Sequence, residues 1–315
     1  MSQPIASNDD LTFVIPAFNS AAYVDCALRV AVACRPYEII FGDDASTDLT
    51  YQRAVKFAEK YPGMIAVLGS KSNRGMAAHW RHLCHMVKTE FFIKHDVDDV
   101  VHPSYVDTAM KVLRKNKDVV VCFAGAKEVD ANSFMDINSL ASYIDNGLKF
   151  DDPQILEGDT AASFLARWSP YPHSLTTIFR TDSYLAAGEF DGSIRVCADM
   201  EVLFRMACHG KMAYWCQKAG LYRIVPSGIA QTSMKLRTAA RDLLRTYSVA
   251  ARLWGATSAG PIINHKMRRL MISCLRGSMA ATWREPTALA REARALLGDF
   301  RLYRDSMRRK RVLNQ

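Results

Sequence analysis

No apolar run in the chain approaches the ~18 uninterrupted residues of a membrane-spanning helix. The opening MSQPIASNDD also lacks the basic-then-apolar order of a signal peptide. Both absences point to a cytoplasmic protein, with attachment to the inner face of the membrane as the remaining way to meet lipid. No CxxC pair occurs among the eight cysteines at 26, 34, 84, 122, 197, 208, 216 and 274. Most stand among apolar neighbours and they read as reduced core residues, so neither a zinc site nor a disulfide framework is expected. Internal repeats and low-complexity tracts are missing too. What is present is a globular balance, with 49% hydrophobic and 23% charged residues over 315 positions, enough to bury a large core and to exclude disorder of the whole chain.

Charge is unevenly spread. Residues 235–315 hold 18 Lys and Arg against 5 Asp and Glu, a net +13, while residues 1–234 hold 23 against 27, a net −4. The chain therefore divides into residues 1–233, mildly acidic, and 234–315, a basic region whose Leu, Met, Trp and Ala recur at helical spacing.

Leu11 to Ile15 is an apolar run ended by Pro16, and Tyr37 to Phe41 is another, ended by Gly42, Asp43 and Asp44. Each reads as a buried strand with a loop at its C-terminal end. Ser20 is placed to cap a helix carrying Tyr23, Cys26, Ala27 and Val30, and Asp48 to cap a second through Tyr61. Met64–Leu68 and Phe91–Lys94 continue the alternation, with a helix from Gly75 to Val87 between them. Strand and helix in turn predict an α/β fold with a mostly parallel sheet flanked by helices. Val119–Phe123 and Leu175–Phe179 read as further strands, Asp199–His209 as a helix closed by Gly210, and residues 131–153 as an excursion beside the site. From Met234 on, Arg-rich helices are expected, broken at Gly255–Pro261 and near Pro286.

Asp96, Asp98 and Asp99 follow the fourth strand, and acidic loops at strand C-termini lie where open α/β sheets bind ligands. Such clustered carboxylates suit Mg²⁺ or Mn²⁺ carried on a diphosphate. A solvated acidic turn capping the helix after Pro103 is the plainer reading.

The ordered set Phe13-Val14-Ile15-Pro16-Ala17-Phe18-Asn19, Glu38 to Asp48, Asn73-Arg74-Gly75 and Asp96-Val97-Asp98-Asp99 resembles family 2 glycosyltransferases of the GT-A fold. The resemblance resumes at Ile178-Phe179-Arg180, Gly188-Glu189-Phe190-Asp191, Ala198-Asp199-Met200-Glu201 and Tyr222-Arg223, and covers roughly residues 11–230. It implies a Rossmann-like domain that transfers a sugar, with inversion, from a nucleoside diphosphate sugar, most readily a UDP-sugar. The acceptor would be a hydroxyl of a glycan or lipid-linked saccharide, as in bacterial surface polysaccharide synthesis.

The resemblance places the nucleotide on Pro16, Ala17, Phe18, Asn19, Asp43, Asp44 and Arg74. Asp96 goes to the sugar or ribose side, Asp98 to the metal and Asp99 to its support. Core packing for Phe18, a capping turn for Asp43 and Asp44, and a solvated loop for Arg74 are the bland alternatives. Asp199 aligns with the second acid of the family's Glu-Asp motif and would be the base, but Ala198 replaces the first acid and Glu201 stands two residues on, so Glu201 is the rival. Arg223 matches the family's Tyr-Arg, with Val225 where a histidine often follows. Trp80 and His79 stand where many relatives carry Asn-Trp; core packing is expected for Trp80.

A sugar nucleotidyltransferase would want a Gly-rich basic loop after the first strand, which Pro16-Ala17-Phe18-Asn19 is not. A non-catalytic nucleotide-sugar-binding protein is favoured only by Ala198. The basic region fits an amphipathic layer on an anionic membrane or, equally, helices packed on the catalytic domain. No nucleic-acid motif accompanies its arginines, and the sequence leaves the oligomeric state open.

Overall fold

A computed structural model describes residues 7–133, 137–167, 174–194, 196–226 and 239–284, with 298 and 301. The first half alternates β1 (Asn8–Ala17), α1 (Val24–Ala33), β2 (Pro36–Asp43), α2 (Thr50–Ala58), β3 (Ile65–Gly69), α3 (Met76–Cys84) and β4 (Phe91–Lys94). Then come the short β5 (Val100–Val101), α4 (Pro103–Lys115), β6 (Val119–Asp130), α5 (Ile137–Ile144), β7 (Gln154–Leu156) and α6 (Gly158–Arg167). A 3-10 turn at Ser174–Thr176 leads into β8 (Ile178–Arg180), α7 (Thr181–Ala186), α8 (Ala198–Met206) and β9 (Lys211–Ile224), and two helices, α9 (Ala239–Trp254) and α10 (Gly260–Arg284), close the described chain.

The nine strands form one sheet in the order β3-β2-β1-β4-β8-β6-β9-β5, with β7 beside β9. The long ladders, β1 with β2 and β4, β2 with β3, and β6 with β9, are parallel. Short β8 runs antiparallel between β4 and β6, and β5 and β7 are antiparallel to β9. The apolar runs sort themselves by the period of two. Val14, Ile40 and Phe92 face one layer with α3, α6 and α8. Phe13, Ile15, Ile39, Phe41, Phe91 and Ile93 face the other, with α1 and α4.

Several boundaries differ from expectation for local reasons. Ser20 does not cap α1: its hydroxyl donates back to Phe18 O, the Tyr23 amide bonds Ser20 O, and the helix starts one turn later. Asp48 does gather the first amide of α2, Thr50 N at 2.9 Å, but the helix ends at Ala58, short of Tyr61. α3 likewise stops at Cys84 rather than Val87, and α8 at Met206 rather than His209. Leu175 lies in the 3-10 turn, not in a strand, because Thr176 Oγ1 ties that turn to the backbone of Ala124 in β6. The excursion of residues 131–153 contains α5.

The basic region is a layer of the domain as far as it is described. Leu244, Tyr247, Ala250, Ala251, Trp254, Ile263, Met267 and Met271 join the same core as α6 and α8. Trp254 Nε1 donates to Phe204 O at 3.0 Å and Tyr247 Oη to Ala166 O at 3.1 Å. The helices break between Trp254 and Gly260. The boundary at 233/234 and the break near Pro286 lie outside the described residues, as do most cations beyond Arg284. No helix of the described residues is long and apolar enough to cross a membrane.

Candidate active site

The acidic loop leaves β4 at the centre of the sheet. Lys94, the last residue of that strand, is completely buried, and its ammonium lies 2.8 and 2.9 Å from the two Asp96 oxygens and 3.0 Å from Ser174 Oγ. The same ammonium sits 3.4 Å above the Trp80 ring, so Trp80 is at once core and a cation–π partner. Ser174 Oγ donates to Asp96 Oδ2 at 2.6 Å. Burial would raise the Asp96 carboxyl, but Lys94 and these hydrogen bonds outweigh it and hold Asp96 low and ionised.

Its neighbours are shifted the other way. Burial first, then the charge on Asp96, raises Asp98 to about 6; burial with Asp98 and Asp96 raises Asp99 well above the usual carboxylate range. Asp99 accepts from the Arg223 amide at 2.9 Å. Arg223 is itself buried: its Nε donates to Asp98 O at 2.6 Å and its Nη1 to Ala131 O and Ser133 O. The guanidinium thus ties the acidic loop to the start of the 131–153 excursion. His95, buried against Phe13, is pushed down to about 4 by desolvation and is neutral.

Asp199 opens α8 from the far side. Its Oδ1 accepts from the Met200 amide at 2.9 Å. Burial raises its carboxyl, Lys94 draws it down and Asp96 pushes it up, with a net rise. Burial raises the Tyr222 phenol, and so do the charges of Asp99, Asp96, Asp98 and Asp199. Glu201 points elsewhere. It is buried and pairs bidentately with Arg205 at 2.5 and 2.9 Å, and Arg205 in turn donates to Ala187 O and Glu189 O.

The loops after β1 and β2 are laced together. Asn19, at φ +48°, accepts from Thr47 N at 2.8 Å; Asp44 N donates to Ala17 O; Asp48 Oδ2 takes Ala21 N at 3.1 Å. Pro16 and Ala17 are buried in β1, where Pro16 pairs with Gly42, whereas the Phe18 ring is 48% exposed at the rim. The Asp44 carboxylate receives the Arg74 and Gly75 amides at 2.9–3.0 Å, with His79 Nδ1 3.5 Å away. Gly75 makes the turn into α3 at φ +82°, a conformation that glycine adopts freely. Asp43 Oδ2 accepts from the Ser46 amide at 3.0 Å, but its buried Oδ1 has no hydrogen-bond partner among the described residues. The Arg74 side chain is exposed beside this mouth.

Lys94 and Ser174 escaped sequence reasoning. A lysine inside an apolar strand run was the available signal, since a buried ammonium demands a counter-charge; Ser174 carried none. Among the described residues no three His, Cys, Asp or Glu side chains form a closed metal site. The donor set nevertheless fits a hard divalent cation shared with phosphates. Asp98 has no ion-pair partner among the described residues, and such cations take one or two carboxylates and complete their shell with substrate and water.

The model of the family described as "Glycosyl transferase family 2" matches residues 12–169, half of the chain. The chain belongs to glycosyl transferase family 2. The "Putative glycosyltransferase EpsE" of Bacillus subtilis (strain 168) is 24% identical over 190 residues, 60% of this chain and 62% of that protein. The "Uncharacterized protein Rv1520" of Mycobacterium tuberculosis (strain ATCC 25618 / H37Rv) is 27% identical over 117 residues, 36% of this chain and 34% of that protein. The chain therefore matches less than two thirds of the length of either relative.

Among solved structures, the mannosyltransferase PcManGT from Pyrobaculum calidifontis, in complex with GDP-Man and Mn²⁺, superposes with TM-score 0.57 at 15% identity, over 98% of this chain and 90% of that one. S. aureus TarS 1-349 in complex with UDP-GlcNAc gives 0.55 at 14% identity, over 95% and 91%. At these identities the likeness is one of fold, the GT-A type.

Proposed function

We propose that the chain is an inverting glycosyltransferase that moves a sugar from a nucleoside diphosphate sugar, a UDP-sugar first, to a hydroxyl of a glycan or lipid-linked saccharide. The observation that carries this reading is the trio Asp96, Asp98 and Asp99 at the C-terminal end of β4, with Asp96 pinned by Lys94 and Ser174 and Asp99 by the Arg223 amide, together with Asp199 in the first turn of α8. Asp98 has no ion-pair partner among the described residues and is open to a cation, while Asp199, on a different element, has like Asp98 a raised affinity for protons through burial. That division of labour is what a single displacement requires.

Asp98, supported by Asp99, would hold Mn²⁺ or Mg²⁺. When bound, that cation neutralises the diphosphate as it leaves. The exposed Phe18 ring would lie on the base, the orphan Asp43 Oδ1 would accept a base or ribose donor, and Arg74 would lie near the phosphates. Asp44 keeps the 73–75 loop in place for them. Asp199 would take the proton from the acceptor hydroxyl as its oxygen bonds to the anomeric carbon and the carbon–oxygen bond to phosphate breaks. Glu201, locked to Arg205, braces the turn at 187–189 instead.

The exposed Arg252, Arg268 and Arg269, with the cations beyond, would draw the protein to an anionic membrane by charge. The buried apolar side chains of α9, and of α10 as far as Met271, lie in the core, so the attraction would be electrostatic and salt-sensitive. Incubation with UDP-, GDP- and dTDP-sugars and Mn²⁺, followed by assay for released nucleoside diphosphate, tests the central claim. Release that depends on metal supports it; no release and no thermal shift with any nucleotide would sink it.

A further inference from the structure

The entry to α8 is unusual. Cys197, the residue before the helix, is held at φ +75° and ψ 19°, a left-handed conformation that residues with a Cβ adopt rarely, and no side chain caps the helix behind it. Such a turn persists only where its surroundings fix it. Here the fixing group comes from the C-terminal helices. Asp242, in the first turn of α9 and 6% exposed, accepts the Val196 amide through Oδ2 at 3.0 Å. Arg245 one turn on lies 3.7 Å from Asp242 Oδ1 and donates to Ser193 O at 3.4 Å. The far end of α8 is tied to α9 as well, by Trp254 Nε1 on Phe204 O at 3.0 Å. α8 is thus gripped at both ends by one helix.

We propose that Asp242 is a positioning residue for the transfer reaction: by holding the Val196 amide it fixes the left-handed turn at Cys197 and so aims Asp199, two residues further on, at the acidic centre. This rests on the assignment of Asp199 as base. Asp242 never touches substrate, and its effect reaches the reaction only through the direction in which α8 begins. A displacement of about 1 Å in a catalytic group is enough to cost on the order of 10²-fold in rate, so loosening one hydrogen bond here should be read in turnover before it is read in binding. The C-terminal helices then do more than cover the core, because they set the register of the catalytic helix.

The test compares Asp242→Ala, Asp242→Asn and the parent chain in metal-dependent release of nucleoside diphosphate, with UDP and GDP affinity in Mn²⁺ and the melting temperature measured alongside. Asp242→Ala should lose tenfold or more in kcat with nucleotide affinity within twofold. Asp242→Asn, whose amide oxygen can still accept from Val196 N, should recover most of the rate. A merely structural role would lower the melting temperature of the alanine variant and leave kcat per folded molecule unchanged, and that result overturns the proposal. Equal loss of turnover and nucleotide affinity, or no rescue by asparagine, overturns it too. If Asp242→Ala aggregates, Asp242→Glu, which keeps the charge and moves the carboxyl by one methylene, is judged by the same criteria. A parent chain that releases no diphosphate from any sugar nucleotide refutes the transferase reading itself, an outcome visible before any variant is made.

Discussion

Removal of the C-terminal helices separates the two readings of the basic region, because one makes them part of the fold and the other a detachable membrane anchor. Leu244, Tyr247, Trp254, Ile263, Met267 and Met271 are all at most 8% exposed. At about 1.5–3 kcal/mol for each large buried side chain, their burial amounts to roughly 9–18 kcal/mol, an upper figure because α9 and α10 also cover each other. The whole stability of a folded protein is only about 5–15 kcal/mol. A chain ending at residue 238 should therefore fail to fold, exposing the α6 and α8 faces and aggregating.

Trp254→Ala is the graded form of the same experiment: it empties the contact between α9 and α8 and removes the bond to Phe204 O. A loss of about 3–5 kcal/mol is expected for truncating a buried tryptophan. At roughly 2–4 °C per kcal/mol for domains of 150–250 residues, melting should fall by about 6–20 °C, read by calorimetry or circular dichroism. Arg268→Gln with Arg269→Gln, both exposed, should leave melting unchanged while weakening retention on phosphatidylglycerol vesicles at low salt. A truncated chain that stays monomeric and melts at the parent temperature would refute the packing account.

Three further outcomes follow from the acidic centre. Asp98→Asn should abolish metal-dependent diphosphate release and the thermal shift with Mn²⁺, yet raise the melting temperature of the metal-free protein at pH 7.5, since it removes a carboxylate whose ionisation is opposed by burial and by Asp96; retained metal response would remove the assignment. Because Asp98 titrates near 6 when folded, above its ordinary 3.8, it favours the metal-free fold most at low pH and loses that contribution as pH rises through about 6, so Mn²⁺ should stabilise more at pH 7.5 than at pH 5.5. Asp199→Asn should lower kcat on the order of 10²-fold with nucleotide affinity intact, whereas Glu201→Gln should lower melting through the stranded Arg205 and affect rate far less; the reverse pattern would exchange their roles.

The sequence by itself determined the alternation of strands and helices in the first half, and with it the place of every acidic loop. Apolar runs such as Phe91 to Lys94, and the terminators Pro16 and Gly42, are local signals whose meaning does not depend on distant residues. The division between Asp199 and Glu201 was half legible: two residues apart on a helix, at about 100° per residue, they must face different ways. Only the tertiary structure shows that Glu201 pairs with Arg205, which reaches the turn at 187–189, while the Asp199 carboxylate makes no such pair among the described residues and accepts the Met200 amide. Lys94 read as the end of a strand, and its burial beneath Trp80 against Asp96 and Ser174 needed contacts across 80 residues. The antiparallel insertion of β8 between β4 and β6 had no local signature either. For the basic helices the ambiguity was physical, since an apolar stripe flanked by arginines removes the same surface from water whether it meets lipid or protein; only the tertiary structure shows that the described part of that stripe, as far as Met271, lies in the core with α6 and α8.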